Sequence, residues 1–564
     1  MPTTNLTHIA HLVEICAKRG VKHVVLSPGS RNAPLIIAFD EHPEIKTYLI
    51  HDERSAAFFA IGLAEALNEP VAITCTSGSA PLNYSPGIAE AYYRNIPILV
   101  LTADRPIAFI DQGDGQTIRQ KNVFQNYIKA SFELPDFSLM NDLNSSDEIV
   151  NQAINQLIQN PQGPVHVNIP LNEPLYGITD LVALPKIEKF QPLNNQLTQT
   201  EKTEIETVWK NSKKKLVLIG QLAPDLNLSE ILLGIVNDSS VAILVENTSN
   251  IQNFQKIVHC IDRTLAVISE DEIEIYQPDL LISLGGAIVS KKIKAFFRSN
   301  KPKTNWRVGK YLFEEDTYQS LSCSFNCAAN HFFDFVNSIK YVPDSNFGNQ
   351  WKQKDFIAQE LHLDYLKKIQ FSDFKAFEII VDTLPDKSIL HMGNSSVVRY
   401  CQLFNPIDGV HYFSNRGVSG IDGSTSTAAG FSAAKKDKLN VLISGDVSFF
   451  YDSNGLWNSY LTTNFRIIVI NNGGGGIFQI LDGSNSVKQA PIFFSPYQAH
   501  IESICNAFSI NYYSASNTEE FETLSSAFYS EQSNNRPALL EVKTFSSSNA
   551  VLLKDYFIYL RTGK

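Results

Sequence analysis

The sequence predicts an α/β protein made of three successive units, each built on a doubly wound parallel sheet. Short, continuous apolar runs alternate with segments of helical length, which is typical of parallel strands covered by helices on both faces. Three groups of such runs follow one another, separated by two segments with the composition of linkers. At 564 residues, the chain is also too long for a single hydrophobic core.

In the first unit, apolar residues recur at helical spacing over residues 6–16, and Gly20 ends that helix. The following strand ends in Ser-Pro-Gly-Ser-Arg, a turn that leads into a helix over residues 33–39. A third helix spans residues 53–67. The predicted strands of this unit are residues 21–26, 47–50, 71–76, 96–102 and 165–169.

Two looser stretches divide the rest of the chain. Residues 181–200 and 341–355 have the composition of linkers. The predicted strands are residues 215–219, 241–245 and 280–284 in the second unit, and residues 388–391, 441–444, 467–470 and 539–542 in the third. We therefore expect domains at residues 1–182, 198–340 and 355–564.

The composition excludes several classes of protein. A net charge of −11 argues against a nucleic-acid or anionic-membrane partner. No apolar run approaches the roughly 18 residues of a membrane span, and the N-terminus lacks the features of a signal peptide. The seven cysteines lie mostly in apolar segments, and the pair Cys323 and Cys327 has no partner pair, which favours reduced thiols over zinc. We expect a cytoplasmic enzyme.

Two polar pairs follow predicted strands of the third unit. Gly445-Asp446 follows residues 441–444, and Asn471-Asn472 follows residues 467–470. Because parallel strands end at the same sheet edge, Asp446 and Asn472 are expected side by side. With a carbonyl from the glycine run that follows, their oxygens suit Mg²⁺ bound through a diphosphate. Either pair alone is equally typical of an ordinary turn.

Glu53 and several arginines are further candidates. Glu53 lies where a strand meets a helix, a position that the helix dipole alone explains. Arginines occur in loops at the ends of strands, including Arg31, Arg399 and Arg416. Surface arginines are commonly just solvated, but guanidinium groups beside small residues also bind carboxylates in a bidentate manner. The arginine loops therefore indicate a substrate with several carboxylates.

A series of motifs runs in order through nearly the whole chain: SPGSR, DER, TADRP, GDGQTIRQ, GNSSVVR, SNRGVSGIDGSTSTAAG, GD and NNGGGGIF. Together they resemble the 2-succinyl-5-enolpyruvyl-6-hydroxy-3-cyclohexene-1-carboxylate (SEPHCHC) synthases of menaquinone biosynthesis, which depend on thiamin diphosphate (ThDP). The SNRG–STAAG block is long and specific. The resemblance implies a pyrimidine-binding and a diphosphate-binding domain that flank a middle domain.

The resemblance implies ThDP and Mg²⁺ as cofactors, with Mn²⁺ as an alternative metal. Asp446, Asn472 and the Gly474 carbonyl would hold the metal, although Val447 stands where the family motif has glycine. Glu53 would be the catalytic glutamate, which hydrogen-bonds N1′ of the aminopyrimidine and promotes the imino tautomer that takes the proton from thiazolium C2. The implied cofactor-binding residues are Glu53, Gly393, Asn394, Ser395, Ile421, Gly445, Asp446, Ser448, Asn472 and Ile477, with Ile421 wedged between the two cofactor rings.

The family activity implies two substrates, 2-oxoglutarate and isochorismate, joined by decarboxylation and conjugate addition. Ser395 and Arg399 would hold the succinyl carboxylate, and Ile477 and Phe478 would form apolar walls. The implied substrate residues are Ser30, Arg31, Arg105, Gln116, Lys291, Ser395, Arg399, Arg416 and Phe478, of which Arg31, Gln116 and Lys291 would address isochorismate. Some family members have Asn where this chain has Gly115, and Arg where it has Lys292. Both departures bear on substrate affinity.

The resemblance also implies a homodimer or homotetramer whose active sites lie between subunits, with no nucleic-acid or membrane partner. Two alternatives remain open at this point. One is another ThDP-dependent 2-oxo acid decarboxylase or carboligase, such as an acetolactate synthase-like enzyme. The other is a catalytically silent ThDP-binding scaffold. A dinucleotide-binding oxidoreductase is disfavoured because no G-x-G-x-x-G follows the first strand.

Overall fold

A computed structural model describes residues 2–140, 142–181, 183–188, 196–251, 257–310, 315–480, 483–530 and 536–563. Strands and helices alternate from the start. The first elements are β1 (Pro2–Thr4), α1 (Thr7–Lys18), β2 (His23–Leu26), α2 (Ala33–Asp40), β3 (Lys46–Leu49), α3 (Glu53–Leu67), β4 (Val71–Cys75), α4 (Ala80–Asn83), α5 (Ser85–Tyr93), β5 (Ile98–Asp104), β6 (Ala130–Glu133), α6 (Leu143–Ile158), β7 (Val165–Pro170) and β8 (Ile178–Asp180).

The alternation continues through the middle of the chain. Its elements are α7 (Gln199–Asn211), β9 (Lys215–Ile219), α8 (Leu226–Val236), β10 (Val241–Val245), α9 (Ile261–Ala266), α10 (Ile273–Tyr276), β11 (Leu280–Leu284), α11 (Lys291–Ser299), β12 (Thr304–Val308), β13 (Cys323–Phe325) and α12 (Ala329–Ser338). Short 3₁₀ turns connect some of these elements.

The last part of the chain begins with a long helix. Its elements are α13 (Phe347–Leu366), α14 (Asp373–Thr383), β14 (Ile389–Met392), α15 (Ser396–Cys401), β15 (His411–Phe413), α16 (Ser424–Ala434), β16 (Asn440–Gly445), α17 (Asp446–Tyr451), β17 (Phe465–Asn471), α18 (Ile477–Ile480), α19 (Ala490–Phe494), α20 (Ile501–Ala507), β18 (Asn511–Ala515), α21 (Thr518–Tyr529), β19 (Ala538–Lys543) and α22 (Ser546–Thr562).

Three larger sheets organise these elements, which confirms the predicted fold class. Their strand orders are β3-β2-β4-β5-β7-β6, β10-β9-β11-β12-β13 and β15-β14-β16-β17-β19-β18. The strand pairs with a defined register in these sheets are all parallel. Strand β1 pairs separately with β8 in an antiparallel ribbon. Central strands such as β5 and β9 are buried along their full length, as expected for sheets covered on both faces.

The chain forms two compact units. The first contains residues 1–193 together with 417–437 and 451–465, and the second contains residues 194–416, 438–450 and 466–564. The first unit holds the sheet that begins with β3, and the second holds the other two large sheets. Two segments of the predicted third domain therefore pack in the same unit as the first sheet.

The structure differs from the sequence prediction in the second linker. Residues 341–346 are irregular, but α13 begins at Phe347, and Phe347 and Trp351 are fully buried. Their burial in the hydrophobic core explains why a polar stretch folds as a helix.

Part of the first predicted linker, residues 182 and 189–195, lies outside the described residues. All seven cysteines have free thiols.

None of the described helices combines the length and the apolar composition that crossing a membrane requires.

Helices α3 and α16 pack against each other through small residues in the first unit. A Cβ atom at Gly62 would lie 2.0 Å from the Thr427 carbonyl oxygen, and one at Gly430 would lie 2.0 Å from the Phe59 carbonyl oxygen. The two helix backbones therefore touch directly at these glycines.

We expect Gly430→Ala to destabilise the first unit by about 1–3 kcal/mol, because the added methyl group overlaps the backbone of α3. The apparent temperature of thermal unfolding, followed by circular dichroism, measures this effect. Gly115→Ala is the matched control, since a Cβ there meets nothing within 4 Å. Equal unfolding temperatures for the two variants would contradict direct backbone contact between the helices.

Candidate active site

Four neighbouring strands of the second unit carry predicted site residues at one sheet edge. The strands β15, β14, β16 and β17 are adjacent and run in order across the sheet. Arg416 follows β15, residues 393–395 follow β14, Asp446 directly follows β16, and Asn472 directly follows β17. Ligands of open α/β sheets bind at this carboxyl edge. The topology therefore brings these residues together although they are far apart in sequence.

Asp446 is buried and accepts hydrogen bonds through both carboxylate oxygens. Its Oδ1 accepts from the Val447 backbone N–H at 2.7 Å. Its Oδ2 accepts from the backbone N–H groups of Gly473 and Gly474, at 3.0 and 2.9 Å, and from the Tyr497 hydroxyl at 3.0 Å. Burial raises the pKa of Asp446 to about 6. These bonds join the glycine run to the first turn of α17.

Asn472 lies beside this carboxylate and is held by its amide nitrogen. Its Nδ2 donates to Asp373 Oδ2 at 2.9 Å. Its Oδ1 is buried and has no hydrogen-bond partner among the described residues. A Cβ atom at Gly474 would overlap the carbonyl oxygen of Phe494, so this position requires glycine. The site thus presents one orphaned amide oxygen next to one carboxylate.

The loop after β14 is connected to the loop after β15. The Asn394 side chain donates to the Asn415 carbonyl and accepts from Arg416 Nη1, each at 2.7 Å. Ser395 has a positive φ of 72° and precedes α15. Arg399 lies half-buried on α15, and its Nε is buried without a hydrogen-bond partner among the described residues. The Arg416 guanidinium is therefore held at the strand end by Asn394, and Arg399 lies on the helix that follows the same loop.

The other predicted residues of this sheet edge have varied environments. Gly393 donates its N–H to the Ile443 carbonyl at 2.8 Å. Gly445 ends β16 with open space around it, and Ser448 is buried on α17. Ile477 is half-buried, whereas Phe478 is 36% exposed and contacts Phe493 with 5.8 Å between ring centroids. The pair Ile477 and Phe478 begins α18.

In the first unit, polar residues gather at the carboxyl edge of β2, β4 and β5. Arg31 is buried and donates to the Leu171 carbonyl at 2.9 Å, and burial followed by the charge of Arg105 lowers its pKa. Arg105 donates to the Gly115 carbonyl at 3.2 Å. Gln116 is exposed with a positive φ of 56°, and Ser30 is exposed as well. Both arginines are therefore held by backbone carbonyls at this edge.

A buried amide supports the same edge. The Gln120 side chain accepts from the Gly78 backbone N–H at 3.0 Å and donates to Asn168 Oδ1 at 3.1 Å. Asn168 in turn donates to Asp104 Oδ2 at 2.8 Å. This network fixes the turn after β4 against β5 and β7. A Cβ atom at Gly78 would lie 3.1 Å from the Cα atom of Gln116, so the loop that carries Gln116 rests on that turn.

Glu53 is the first residue of α3 and is half-buried. The preceding Asp52 caps the helix by accepting from the Ser55 backbone N–H at 3.2 Å. Glu53 Oε2 accepts from Asn83 Nδ2 at 3.2 Å. Burial, and to a smaller extent the charge of Glu53, raises the pKa of the Cys75 thiol. The carboxylate thus lies at the helix start beside the end of β4.

Ile421 belongs to a loop of the first unit that a buried glutamate holds. Glu90 on α5 accepts hydrogen bonds from the backbone N–H groups of Gly417 and Val418, at 2.8 and 2.7 Å. Arg94 lies 3.8 Å from the same carboxylate. Ile421 follows shortly after and is half-buried. Lys291, by contrast, lies in the second unit as the exposed first residue of α11.

Sequence reasoning missed several residues that support these sites. Tyr497 donates to Asp446 and also to Asn471 Oδ1 at 2.9 Å, yet nothing in the surrounding sequence marks it. Asp373 is fully buried and accepts from Asn472 and from the Thr544 hydroxyl. Its position at a helix start resembles an ordinary first-turn acid. Glu90 lies within a helix and shows no pattern that predicts a role.

Comparisons with known proteins identify two domains and a family for this chain. The family model for the thiamine pyrophosphate enzyme N-terminal TPP binding domain matches residues 7–130, and that for the C-terminal TPP binding domain matches residues 392–542. The chain is 42% identical over 555 residues to the SEPHCHC synthase of Flavobacterium johnsoniae, covering 97% of each protein. It is 40% identical to that of Christiangramia forsetii, covering 98% of each, and 37% identical to that of Porphyromonas gingivalis, covering 98% of this chain and 97% of the relative.

The parallel sheets, their polar carboxyl edges and the two matched domains define a thiamin diphosphate-dependent enzyme. The likeness to the named relatives extends over nearly the full length of the chain. The chain belongs to the family of 2-succinyl-5-enolpyruvyl-6-hydroxy-3-cyclohexene-1-carboxylate synthases, enzymes of menaquinone biosynthesis.

Replacing Glu90 with glutamine should loosen the loop that carries Ile421. Glutamine has only one oxygen for the two N–H groups of Gly417 and Val418, so we expect hydrogen exchange of these amides to be roughly tenfold faster. Hydrogen–deuterium exchange with mass spectrometry measures the change. The control is Glu69→Gln, at an exposed position of the same unit. Unchanged exchange of residues 417–423 would show that Glu90 does not hold the loop.

Proposed function

We propose that the protein decarboxylates 2-oxoglutarate and adds the resulting succinyl group to isochorismate, with ThDP and Mg²⁺, to give SEPHCHC and CO₂. The observation that carries the proposal is the single sheet edge that collects Asp446, Asn472, Arg399 and Arg416. Family membership supports the reaction class, and the guanidinium groups support substrates with several carboxylates.

The residues of this edge fit a diphosphate-bound divalent cation. The buried Asn472 Oδ1 has no protein partner among the described residues, and Asp446 supplies a carboxylate next to it. Hard oxygen donors of this kind suit Mg²⁺, and Mn²⁺ accepts the same donors. We assign the Gly474 carbonyl as the third protein ligand. Among the described residues, no group of three or more His, Cys, Asp or Glu side chains forms a rival metal centre.

Bound ThDP would supply the carbanion chemistry that joins the two substrates. The protein's own contribution begins with Glu53, which we assign to hold and exchange a proton at N1′ of the aminopyrimidine. Gly393, Asn394, Ser395, Gly445 and Ser448 would orient the cofactor, and Ile421 and Ile477 would contact its rings. Fixed positions for these groups reduce the entropy that the reaction must otherwise overcome.

The substrate carboxylates would be bound by charged and polar residues at the two sheet edges. Ser395 and Arg399 would hold the succinyl carboxylate. Arg31, Gln116 and Lys291 would address isochorismate. Ser30, Arg105 and Arg416 would also line the substrate pocket, with Phe478 as an apolar wall. Four arginines are assigned to the substrates in this way, which suits two dicarboxylates.

We also propose a cytoplasmic homodimer or homotetramer with active sites shared between subunits. The support is the family's site architecture, in which the catalytic glutamate and the metal ligands come from different chains. The net charge of −11 argues against a nucleic-acid partner. Sedimentation or light scattering of the purified protein would test the assembly.

Product analysis tests the reaction. Protein supplied with both substrates, ThDP and Mg²⁺ should release CO₂ and form a compound with the mass of SEPHCHC. Glu53→Gln should keep ThDP binding, measured by calorimetry, but lower kcat by at least about 100-fold, because it removes the acid–base group. Glu41→Gln, at an exposed position, is the control for an effect of charge alone.

Two outcomes would contradict this function. Turnover of pyruvate but not of 2-oxoglutarate would indicate another ThDP-dependent decarboxylase or carboligase. Binding of ThDP without turnover of either 2-oxo acid would indicate a silent scaffold. Full activity of Glu53→Gln would contradict only the role that we assign to Glu53.

Tyr497→Phe should weaken Mg²⁺ binding. The hydroxyl donates to Asp446 Oδ2, and groups that orient a metal-binding carboxylate commonly contribute at least about tenfold to affinity. We expect the dissociation constant for Mg²⁺, measured by calorimetry in the presence of ThDP, to rise by about tenfold. Tyr176→Phe, at a 66% exposed position, should leave it unchanged. Equal affinities in both variants would exclude a role for the Tyr497 hydroxyl at the metal.

A further inference from the structure

A five-residue segment of the second unit, residues 246–250, connects three elements that carry cations. It directly follows β10. Glu246 Oε2 accepts from the Val289 backbone N–H, and Oε1 accepts from the Ser290 backbone N–H, both at 2.7 Å. Ser290 is the N-cap of α11, whose own side chain accepts from the Ile293 backbone N–H at 3.0 Å. Glu246 therefore fixes the start of α11.

The same segment also holds the C-terminal end of α15. The Asn247 backbone N–H donates to Gln402 Oε1 at 3.1 Å, and its Nδ2 donates to the Cys401 carbonyl at 2.8 Å. Arg399 lies in the last turn of α15. The position of Arg399 relative to α11 is therefore set through Glu246 and Asn247.

Asn250 connects the segment to β15. Its Oδ1 accepts from the Tyr412 backbone N–H at 2.7 Å, and its Nδ2 donates to the Tyr412 carbonyl at 2.9 Å. A further bond from Gln221 Nε2 to the Ser414 carbonyl, at 2.7 Å, holds the chain that leads to Arg416. The segment thus joins the elements that carry Arg399 and Arg416 to the first turns of α11.

Lys294 is the cation of α11 that takes part in this arrangement. It is half-buried and interacts electrostatically with Glu246, Arg416 and Arg399. Lys291 at the start of the helix is exposed, and the Lys292 ammonium lies 3.1 Å from the centre of the Phe557 ring. Of the three lysines, Lys294 is therefore the one grouped with the arginines assigned to the substrate.

We propose that Lys294 is a further binding residue for a substrate carboxylate and that Glu246 is the positioning residue that holds it beside Arg399 and Arg416. The inference rests on the proposed function, because it assigns these cations to a dicarboxylate substrate. Glu246 is only 2% exposed, so it acts as an internal counter-charge rather than as a contact of the substrate. The two backbone N–H groups of Val289 and Ser290 partly offset the cost of burying this carboxylate.

The surroundings of Glu246 make this positioning dependent on pH. Burial raises the pKa of Glu246 to about 7, against the lowering effect of the two backbone N–H groups. Asp262, Arg416, Lys294 and Tyr318 are the charged or titratable groups that face it. Glu246 is therefore about half ionised near pH 7, and its ionised fraction grows as the pH rises. Protonation at lower pH weakens one of the two Glu246 oxygens as an acceptor for the N–H groups of Val289 and Ser290, and so loosens the start of α11. We therefore expect KM for 2-oxoglutarate to rise as the pH falls below 7.

Steady-state kinetics of the complete enzyme with 2-oxoglutarate test the inference. Lys294→Met should raise KM by about tenfold with kcat changed less than about threefold, because a charge-assisted bond to the substrate is lost. Glu246→Gln should raise KM by about fivefold and remove its dependence on pH between 6 and 8. In the double variant, KM should rise by less than the product of the two single-variant fold-changes, since both substitutions act through Lys294.

Glu201→Gln is the matched control, because Glu201 also accepts a backbone N–H at a helix start but belongs to α7. It should leave KM and its pH profile unchanged. An unchanged KM in Lys294→Met, or a wild-type KM that does not rise as the pH is lowered from 8 to 6, would overturn the inference. Because Lys294 is only half-buried, this variant remains informative should Glu246→Gln unfold.

Calorimetry separates this inference from the proposed function. Wild-type protein that binds 2-oxoglutarate, with Lys294→Met binding it equally well, would refute the role of Lys294 and leave the function intact. Wild-type protein that neither binds nor turns over 2-oxoglutarate would refute both. Weaker binding by Lys294→Met but not by Glu201→Gln is the expected result.

Discussion

Three buried carboxylates share one interaction on which the loops of this protein depend. Glu90, Glu246 and Asp446 each accept hydrogen bonds from two consecutive backbone N–H groups, those of residues 417–418, 289–290 and 473–474. Bonds from N–H groups to an ionised acceptor are stronger than neutral ones, and they satisfy donors that burial would otherwise leave unpaired. Each carboxylate thereby fixes the path of a loop that carries candidate site residues.

The sheets supply the positions from which these loops depart. Parallel strands end at a common edge, so residues 393–395, Arg416, Asp446 and Asn472 come together without being neighbours in sequence. A hydrophobic core on both faces of the sheet leaves this edge as the place where polar groups are tolerated. The strands, together with loops held by hydrogen bonds to buried carboxylates, provide the fixed orientation that a cofactor-dependent reaction requires.

Much of this organisation could be predicted from the sequence. The continuous apolar runs predict the three parallel sheets, and the polar pairs after them predict that Asp446 and Asn472 share an edge. The helix that begins inside the second predicted linker could not be predicted, because the burial of Phe347 and Trp351 depends on tertiary packing. Tyr497 and Glu246 were missed for the same reason. Their partners lie 51 and about 43 residues away in the chain, so no local pattern marks them.

The contact between α3 and α16 limits how this sequence can change. At Gly62 and Gly430 each helix faces the bare backbone of the other, so neither position can acquire a side chain unless the partner helix moves away. Although the run STSTAAG consists of small residues, its Gly430 therefore cannot be enlarged without moving α3. Variation on these two faces has to be paired, with both helices changing together or not at all.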